Sequence, residues 1–291
     1  MEVSFGLFAP LNTLQDALTT RNNTRVQIRS TNLLDFGVGG RVNVTYSNPI
    51  SPESRVVLSF TGARAAAKER LEVGAINSTF PGIFDDGRFL PANTYFDSKV
   101  DTRSAMVSIG KEWTRGSSWR FSAGVQGGSA SQDISTSVYG RVPLALFNGE
   151  LFGTIDSKSK NYFAGVYGGV SHYTPLGDGL GLRLSGNLGV MRHEFDFQYT
   201  YINRALFTIP VTERVSASDV GTTISTKLSA RLERSLADGA MVTMEVGYDG
   251  LYGLGNGVDT FLDPDGRRNF ADVDSGAIGA AYLSVGYTVR Y

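Results

Sequence analysis

The 291-residue sequence predicts an all-β fold, a transmembrane up-and-down antiparallel barrel of ten strands with short turns at one rim and long loops at the other. Three observations predict it. Apolar residues alternate with polar or small ones along a series of segments, and the connections between those segments alternate in length. The face opposite the apolar one carries Gly37, Gly39, Gly124, Gly128, Gly189, Gly247 and Gly286, which serve poorly as solvent-facing strand positions but suit a crowded interior. A water-soluble sandwich would also alternate, but it would turn those glycines to water.

Composition agrees with short strands and tight turns. The chain has 35 Gly, 13 Tyr and 17 Phe against 9 Pro and 5 Met, which disfavours long helices. Its 27 basic and 28 acidic residues create no net field that would recruit nucleic acid. The absence of cysteine removes disulfides, thiol catalysis and sulfur-ligated metal sites. No apolar run approaches the roughly 18 to 20 residues of a membrane helix, and the mean hydropathy is −0.10. Barrel strands give such a near-neutral mean because each hides one apolar face. Residues 1–291 are read as one barrel domain. Met1 to Pro10 lacks the basic start and apolar core of a signal peptide, so a mature form with its export signal removed is expected.

The elements follow in order. Val3, Phe5 and Leu7 alternate within Glu2 to Ala9, a candidate first strand. Residues 10 to 32 form the first outer loop, in which Leu11 to Thr20 is a short helix or a plug. From Leu34 to Tyr46 the apolar set is Leu34, Phe36, Val38, Gly40, Val42, Val44 and Tyr46. The same pattern runs through Trp119 to Gln126, Leu180 to Val190, Thr226 to Leu232, Ala240 to Tyr248 and Ala281 to Tyr291. Weaker strands are Val56 to Gly62, Ala105 to Trp113 and Tyr162 to Tyr173. That makes nine from Leu34 onward, and a closed bacterial barrel wants an even number, so Glu2 to Ala9 is the tenth. Eight or twelve strands stay open, because Phe195 to Tyr201 and Ala205 to Val211 could form a separate projecting hairpin.

Short turns are expected at Ser47 to Ser54, Thr114 to Ser118, Thr174 to Gly179 and Arg234 to Gly239. Long outer segments are expected around 66 to 102, 131 to 161, 199 to 221 and 252 to 275. Joining Trp113 to Trp119 puts both indoles outward at the short-turn rim, where an aromatic girdle belongs, and sets Glu112 opposite Arg120 inside. Across the turn after Arg234, Lys227 falls opposite or beside Glu245. The last strand should close the ring on Glu2 to Ala9, or on Leu34 to Tyr46 in a smaller barrel, because open sheet edges are not tolerated in lipid.

Alternation places Asp35, Arg41, Asn43, Glu112, Arg120, Gln126, Arg183, Asn187, Lys227, Arg231, Glu245, Asp249 and Arg290 on the lumen side. Both signs are present, so no selectivity ring of one sign is legible. The glycines imply space in the lumen, and the arginines imply that it is filled.

The last eight residues, Ser284-Val285-Gly286-Tyr287-Thr288-Val289-Arg290-Tyr291, resemble the C-terminal β-signal of Gram-negative outer-membrane proteins, with Tyr291 in place of the more usual terminal Phe. The resemblance implies that Ser284, Gly286, Val289 and Tyr291 are read by the barrel-assembly machinery. Ala164 to Gly169, followed by Pro175-Leu176-Gly177-Asp178-Gly179, is similar in texture to major-outer-membrane-protein-type pore-forming barrels. Both resemblances imply the bacterial outer membrane.

Histidine chemistry has two candidates, His172 near the short-turn rim and His193 at the outer end of its strand. His193 beside Glu194 brings to mind an omptin-like hydrolase. The Asp and His two residues apart that such enzymes carry are absent, however, and adjacent strand residues face opposite sides. His193 is therefore expected to be a rim residue, and no catalytic residue is assigned. Asp85-Asp86-Gly87 and Asp263-Pro264-Asp265-Gly266 have turn chemistry and lack a full calcium ligand set. No metal or cofactor is expected.

The leading function is porin-type passive diffusion of ions or small polar solutes through a narrow lumen. The alternative is a non-conducting structural or interaction barrel whose outer loops bind a partner or surface. Ten strands sit nearer the side-chain-filled barrels of about eight than the open channels of about sixteen. Expected partners are outer-membrane lipid and lipopolysaccharide, the assembly machinery, and a surface partner or a second copy through the loops; nucleic acid is not among them.

Overall fold

The computed structural model describes residues 1–10, 28–30, 38–73, 95–144, 147–204, 211–236, 239–262 and 268–289. Among these, every regular element is a strand: β1 (Glu2–Pro10), β2 (Ile28–Ser30), β3 (Gly39–Ser51), β4 (Ser54–Val73), β5 (Tyr95–Arg115), β6 (Trp119–Leu144), β7 (Phe147–Gly177), β8 (Leu180–Arg204), β9 (Val211–Ser235), β10 (Met241–Leu262) and β11 (Arg268–Thr288). All pairings are antiparallel, and β3 through β11 each pair with the next.

The first and last strands close the ring. β1 pairs with β11 from Glu2↔Thr288 to Pro10↔Ala280 and with β3 from Glu2↔Thr45 to Phe8↔Gly39. The ring therefore holds ten strands. The three-residue β2 stands outside it, paired to the end of β4. At the seam the Met1 ammonium donates to the Val289 carbonyl, and the Val289 amide donates to the Met1 carbonyl, both at 3.0 Å. Among the described residues the ring itself has no open edge to face lipid, which the bilayer demands.

The short-turn rim is tighter than alternation suggested. Only Pro52 and Glu53 separate β3 from β4, and Asp178 and Gly179 separate β7 from β8. The latter pair has φ of +49° and +72°, the left-handed geometry that matches strand twist in a two-residue hairpin. The β5–β6 turn is Gly116 to Ser118, so Arg115 faces Trp119 and Trp113 faces Phe121. Trp113 and Trp119 both point outward at this rim, but the register is shifted by two from the one expected. Glu112 consequently lies opposite Ser122, and Arg120 opposite Thr114.

The opposite side departs further from expectation. Much of the sequence read as outer loops is strand: β6 and β7 stay paired from Trp119↔His172 up to Leu144↔Phe147. Phe195 to Tyr201 of the supposed hairpin continues β8, which pairs with β9 without a break from Leu180↔Arg234 to Asn203↔Val211, while residues 205–210 lie outside the described residues. This excludes the twelve-strand alternative. A barrel strand needs about 9 to 11 residues to cross lipid, whereas β7 has 31, so most of it projects beyond the membrane. The suggested helix at Leu11 to Thr20 and the Asp85-Asp86-Gly87 and Asp263-Pro264-Asp265-Gly266 turns lie outside the described residues.

The exterior of the lower barrel is apolar. Phe5, Leu7, Leu58, Phe60, Val107, Ile109, Val125, Val166, Leu184, Leu188, Leu228, Met244, Val246, Leu283 and Val285 all point outward and are exposed. On a water-soluble protein such a belt would be an intolerable patch; in a bilayer it is the surface that meets acyl chains. Tyr248 and Tyr252, joined by a 2.7 Å hydroxyl contact, and Tyr162 stand at its outer margin, as Trp113 and Trp119 stand at its inner one.

Candidate functional site: the barrel interior

The interior is built in layers, and the lowest is ionic. Arg55 Nε donates to Glu112 Oε2 at 2.7 Å, which is the partner Glu112 has in place of Arg120. Arg183 grips Glu233 with Nε and Nη2 at 2.6 and 3.2 Å, and its guanidinium lies 5.2 Å from the Tyr173 ring. Arg231 donates to Glu245 at 2.7 Å and to Glu2 at 3.0 Å. Tyr282 donates its hydroxyl proton to the other Glu245 oxygen at 2.6 Å. Arg41 donates to Asp249 at 2.8 Å and stacks over the Tyr282 ring at 3.8 Å.

Register explains these choices. Glu245 stands directly across from Arg231, and Lys227 across from Asp249, so Lys227 is four residues along the ladder from the position opposite Glu245. It lies 5.9 Å above the Tyr282 ring. For Arg120, which points inward on β6, no carboxylate partner is found among the described residues. Asn43 accepts from Thr61 at 2.9 Å. Asp35 and Arg290 are outside the described residues, as is Tyr291 of the terminal motif. Ser284 and Gly286 face inward and are buried, and Val289 forms the seam bonds to Met1.

Several bonds cross the lumen rather than follow the sheet. Gln126 Nε2 on β6 donates to Ser225 Oγ on β9 at 2.6 Å. The Asn161 side chain on β7 donates to the Gly255 carbonyl on β10 and accepts from its amide, both at 2.9 Å. The amide thus supplies the missing half of a backbone pair to a residue three strands away. Arg41–Asp249 and Arg231–Glu2 also join strands that are not neighbours.

Above the ionic layer an apolar cluster appears among buried polar side chains such as Asn161, His193 and Thr223. Ala130, Phe163, Met191 and Leu254 are fully buried and pack with Met106, Leu251 and Ile278. Six strands, β5 to β8, β10 and β11, contribute to this layer. Phe8, Ala65 and Ala280 form a second buried group with Ala63 near the seam. Phe195 and Phe197 stack above, with centroids 6.1 Å apart. Sequence reasoning missed this cluster because it assigned apolar side chains to lipid throughout, and it missed Glu2, Arg55 and Glu233 because they stand at strand ends beside the short-turn rim.

The lumen glycines do not mark empty space. A Cβ at Gly110, Gly181, Gly247 or Gly255 would collide with the ring of Tyr167, Tyr173, Tyr282 or Phe195, and one at Gly189 with the Gln126 amide. Each glycine is the shelf on which a large side chain from another strand lies. Interior volume that a row of glycines would open is thereby filled, the close packing found in protein cores.

Neither histidine stands where surface chemistry needs it. His172 faces outward against Trp119, with ring centroids 4.6 Å apart. His193 is no rim residue: it is 5% exposed inside the barrel, its Nδ1 2.8 Å from the Thr223 hydroxyl and its ring over Gly221. Glu194 points to the opposite face. Beyond the lipid, Arg103 and Arg64 hydrogen-bond to Asp101 and hold its carboxyl well below the usual carboxylate range.

No known family profile matches the chain, and no curated protein matches it in sequence. Solved structures do. The outer-membrane protease OmpT of Escherichia coli is 9% identical with a TM-score of 0.50, over 98% of this chain and 94% of that one. The translocator domain of the autotransporter NalP from Neisseria meningitidis is 12% identical with a TM-score of 0.34, over 98% and 86%. LpxR from Salmonella typhimurium is 10% identical with a TM-score of 0.30, over 98% and 99%. At such identities the likeness is one of fold. With a closed ring of ten antiparallel strands and an apolar belt around it, this chain has the fold of a bacterial outer-membrane β-barrel, and that membrane is where it resides.

Proposed function

We propose that this barrel is a non-conducting one, a sealed membrane anchor that holds its long hairpins above the bilayer as a binding surface. The observation that carries this reading is the cluster of Met106, Ala130, Phe163, Met191, Leu251, Leu254 and Ile278 packed inside the barrel, with the Gln126–Ser225 and Asn161–Gly255 bonds crossing the lumen beside it. A narrow diffusion pore needs a continuous hydrated path, and packed apolar side chains beside polar groups already bonded to one another offer ions and polar solutes little in exchange for their water. The ionic layer beneath it is largely self-neutralised, which favours rigidity over solute binding. The length of β6 to β9 beyond the lipid supports a role for the projecting surface.

Single-channel recording of the reconstituted protein tests this reading. A silent bilayer is expected from protein that still shows the heat-modifiable migration of a folded barrel. Stable conductance steps would overturn the reading in favour of the pore. A hydrolase centred on His193 gains no support from a buried imidazole, and His193→Ala should leave any activity found for the protein unchanged.

A further inference from the structure

Above the lipid, β9 and β10 part. β9 pairs with β8 from Leu180↔Arg234 up to Asn203↔Val211, but with β10 only from Met241↔Ser235 up to Tyr252↔Ile224. Ile224 also stands across from Val190. Val190 ends the outward apolar series of β8, since the next outward residues are Arg192 and Glu194. The β9–β10 ladder therefore stops where the lipid does. An unpaired edge is not tolerated in the hydrocarbon; in water it is.

The departure is made by β10. Gly253 has φ of +77°, and register shifts fall between Tyr252 and Leu254 and between Gly255 and Gly257. Gly255 then gives its N–H and C=O to the Asn161 side chain of β7, at 2.9 Å each, with the Phe195 ring lying over it. β10 is thus committed to the lumen, and β9 above Ile224 keeps one strand neighbour, β8, among the described residues.

The direction of the free groups follows from the ends of the ladders. The Ser235 amide donates to the Gly179 carbonyl and the Leu236 amide to the Ala240 carbonyl. Neither ladder of β9 shifts register, so its odd residues bond to β8 and its even residues turn N–H and C=O to the other side. Above the split those even residues include Arg214, Ser216, Ser218 and Val220, all with exposed side chains. Asp219 is directly across from the buried Phe195 and shares its inward parity, yet it is exposed and makes no ion pair among the described residues. Sheet edges in water are ordinarily blunted by proline, lysine or a bulge. Residues 211–223 contain no proline and no lysine, and no bulge interrupts them.

We infer that the β9 edge from Arg214 to Val220 is a docking site for an extended peptide segment, which adds to it as an antiparallel strand. The groups on offer are main-chain donors and acceptors repeating every second residue, which an extended peptide matches. A basic side chain on the inward face of the segment would meet the Asp219 carboxylate. A second copy of this chain fits less well. Copies in one membrane share their orientation, so their β9 edges would meet in parallel, the weaker pairing. The inference gives a partner class to the projecting surface of the proposed function and rests on that part of it, not on whether the lumen conducts.

Binding of a fluorescein-labelled, capped peptide of alternating threonine and valine with one central lysine, read by anisotropy with the refolded full chain in nanodiscs, is the test. Saturable micromolar binding is expected. The same peptide N-methylated throughout keeps its side chains but cannot donate to the edge, and should bind about tenfold more weakly. Ser216→Pro with Ser218→Pro removes two N–H groups from the free edge while the odd residues keep the β8 ladder, and should also weaken binding about tenfold. Ser216→Thr with Ser218→Thr should keep it. Heat-modifiable migration reports folding of each variant, and the two peptides on the parent protein decide the case if the proline pair does not fold. No saturable binding below about 1 mM, equal binding of the N-methylated peptide, or a folded proline pair that binds like the parent overturns the site. A dimer of the parent that the proline pair abolishes overturns the peptide as its occupant in favour of a second copy. Conductance steps would overturn the sealed lumen alone, so the two failures are distinguishable.

Discussion

Between Leu180 and Val190, β8 turns Leu184, Leu188 and Val190 outward and Arg183, Ser185 and Asn187 inward. From Met191 to Phe197 the same strand turns Arg192, Glu194 and Asp196 outward and buries Met191, Phe195 and Phe197 inside. The strand does not bulge or break between them. Its surroundings change. The lower half is immersed in lipid, so its outer surface is apolar and its polar groups find one another inside. The upper half stands in water and obeys the ordinary rule of a soluble β fold. Other strands repeat the inversion: β7 places Val166 outward but Phe163 inward with Lys158 and Lys160 outward, and β4 exposes Phe60 but, beyond it, buries Ala65 and exposes Arg64 and Lys68. Two interiors of different chemistry therefore share one ring, ionic below and with an apolar cluster above.

The comparison can be broken first in the ionic core. Glu245→Ala removes the carboxylate shared by Arg231 and Tyr282 and leaves a buried guanidinium short of a partner, which should cost about 3 to 5 kcal/mol. Urea unfolding in detergent measures it, and a loss below about 1 kcal/mol, the worth of an exposed pair, would mean that water fills this layer. In the apolar core, Met191→Ala should cost about 2 to 5 kcal/mol through the cavity it leaves. A negligible cost there would point to an open lumen. The smallest effects contrast one face of one strand: Leu184→Arg should lose about 2 to 4 kcal/mol in lipid, whereas Glu194→Arg, on the same face in water, should stay within about 0.5 kcal/mol.

The sequence made the lower half legible because alternation there is strict and has one meaning. Parity gives Arg41, Glu112, Arg183, Arg231, Glu245 and Asp249 a common face, and the need to pair the last edge left Glu2 to Ala9 or Leu34 to Tyr46, of which the structure pairs the first. Ion partners were less legible, since a two-residue change in hairpin register moves Glu112 from Arg120 to Ser122 and leaves it to Arg55 on the other neighbouring strand. The upper half was misread because its alternation continues with the phase reversed, so that polar outward residues such as Lys158, Lys160, Glu194 and Asp196 looked like loop. In β8 the reversal is visible at Val190-Met191, two apolar neighbours followed by apolar residues at 195 and 197. Such a phase change marks where a strand leaves lipid. The glycines misled for a different reason: a missing side chain in the sequence says nothing of the ring that lies over it from another strand.

A cysteine scan of β8 tests the inversion most directly, and the chain has no native cysteine to confuse it. Single cysteines at 184, 186, 188, 190, 192, 194 and 196, all on the outward face, would carry a spin label in reconstituted protein. Collision with oxygen, which concentrates in lipid, should dominate at 184 to 190, and collision with a water-soluble nickel chelate should dominate at 194 and 196, with the crossover near 192. Lipid-like accessibility persisting through 196, or a crossover below 188, would contradict a barrel whose two halves are divided by the membrane surface at Val190-Met191.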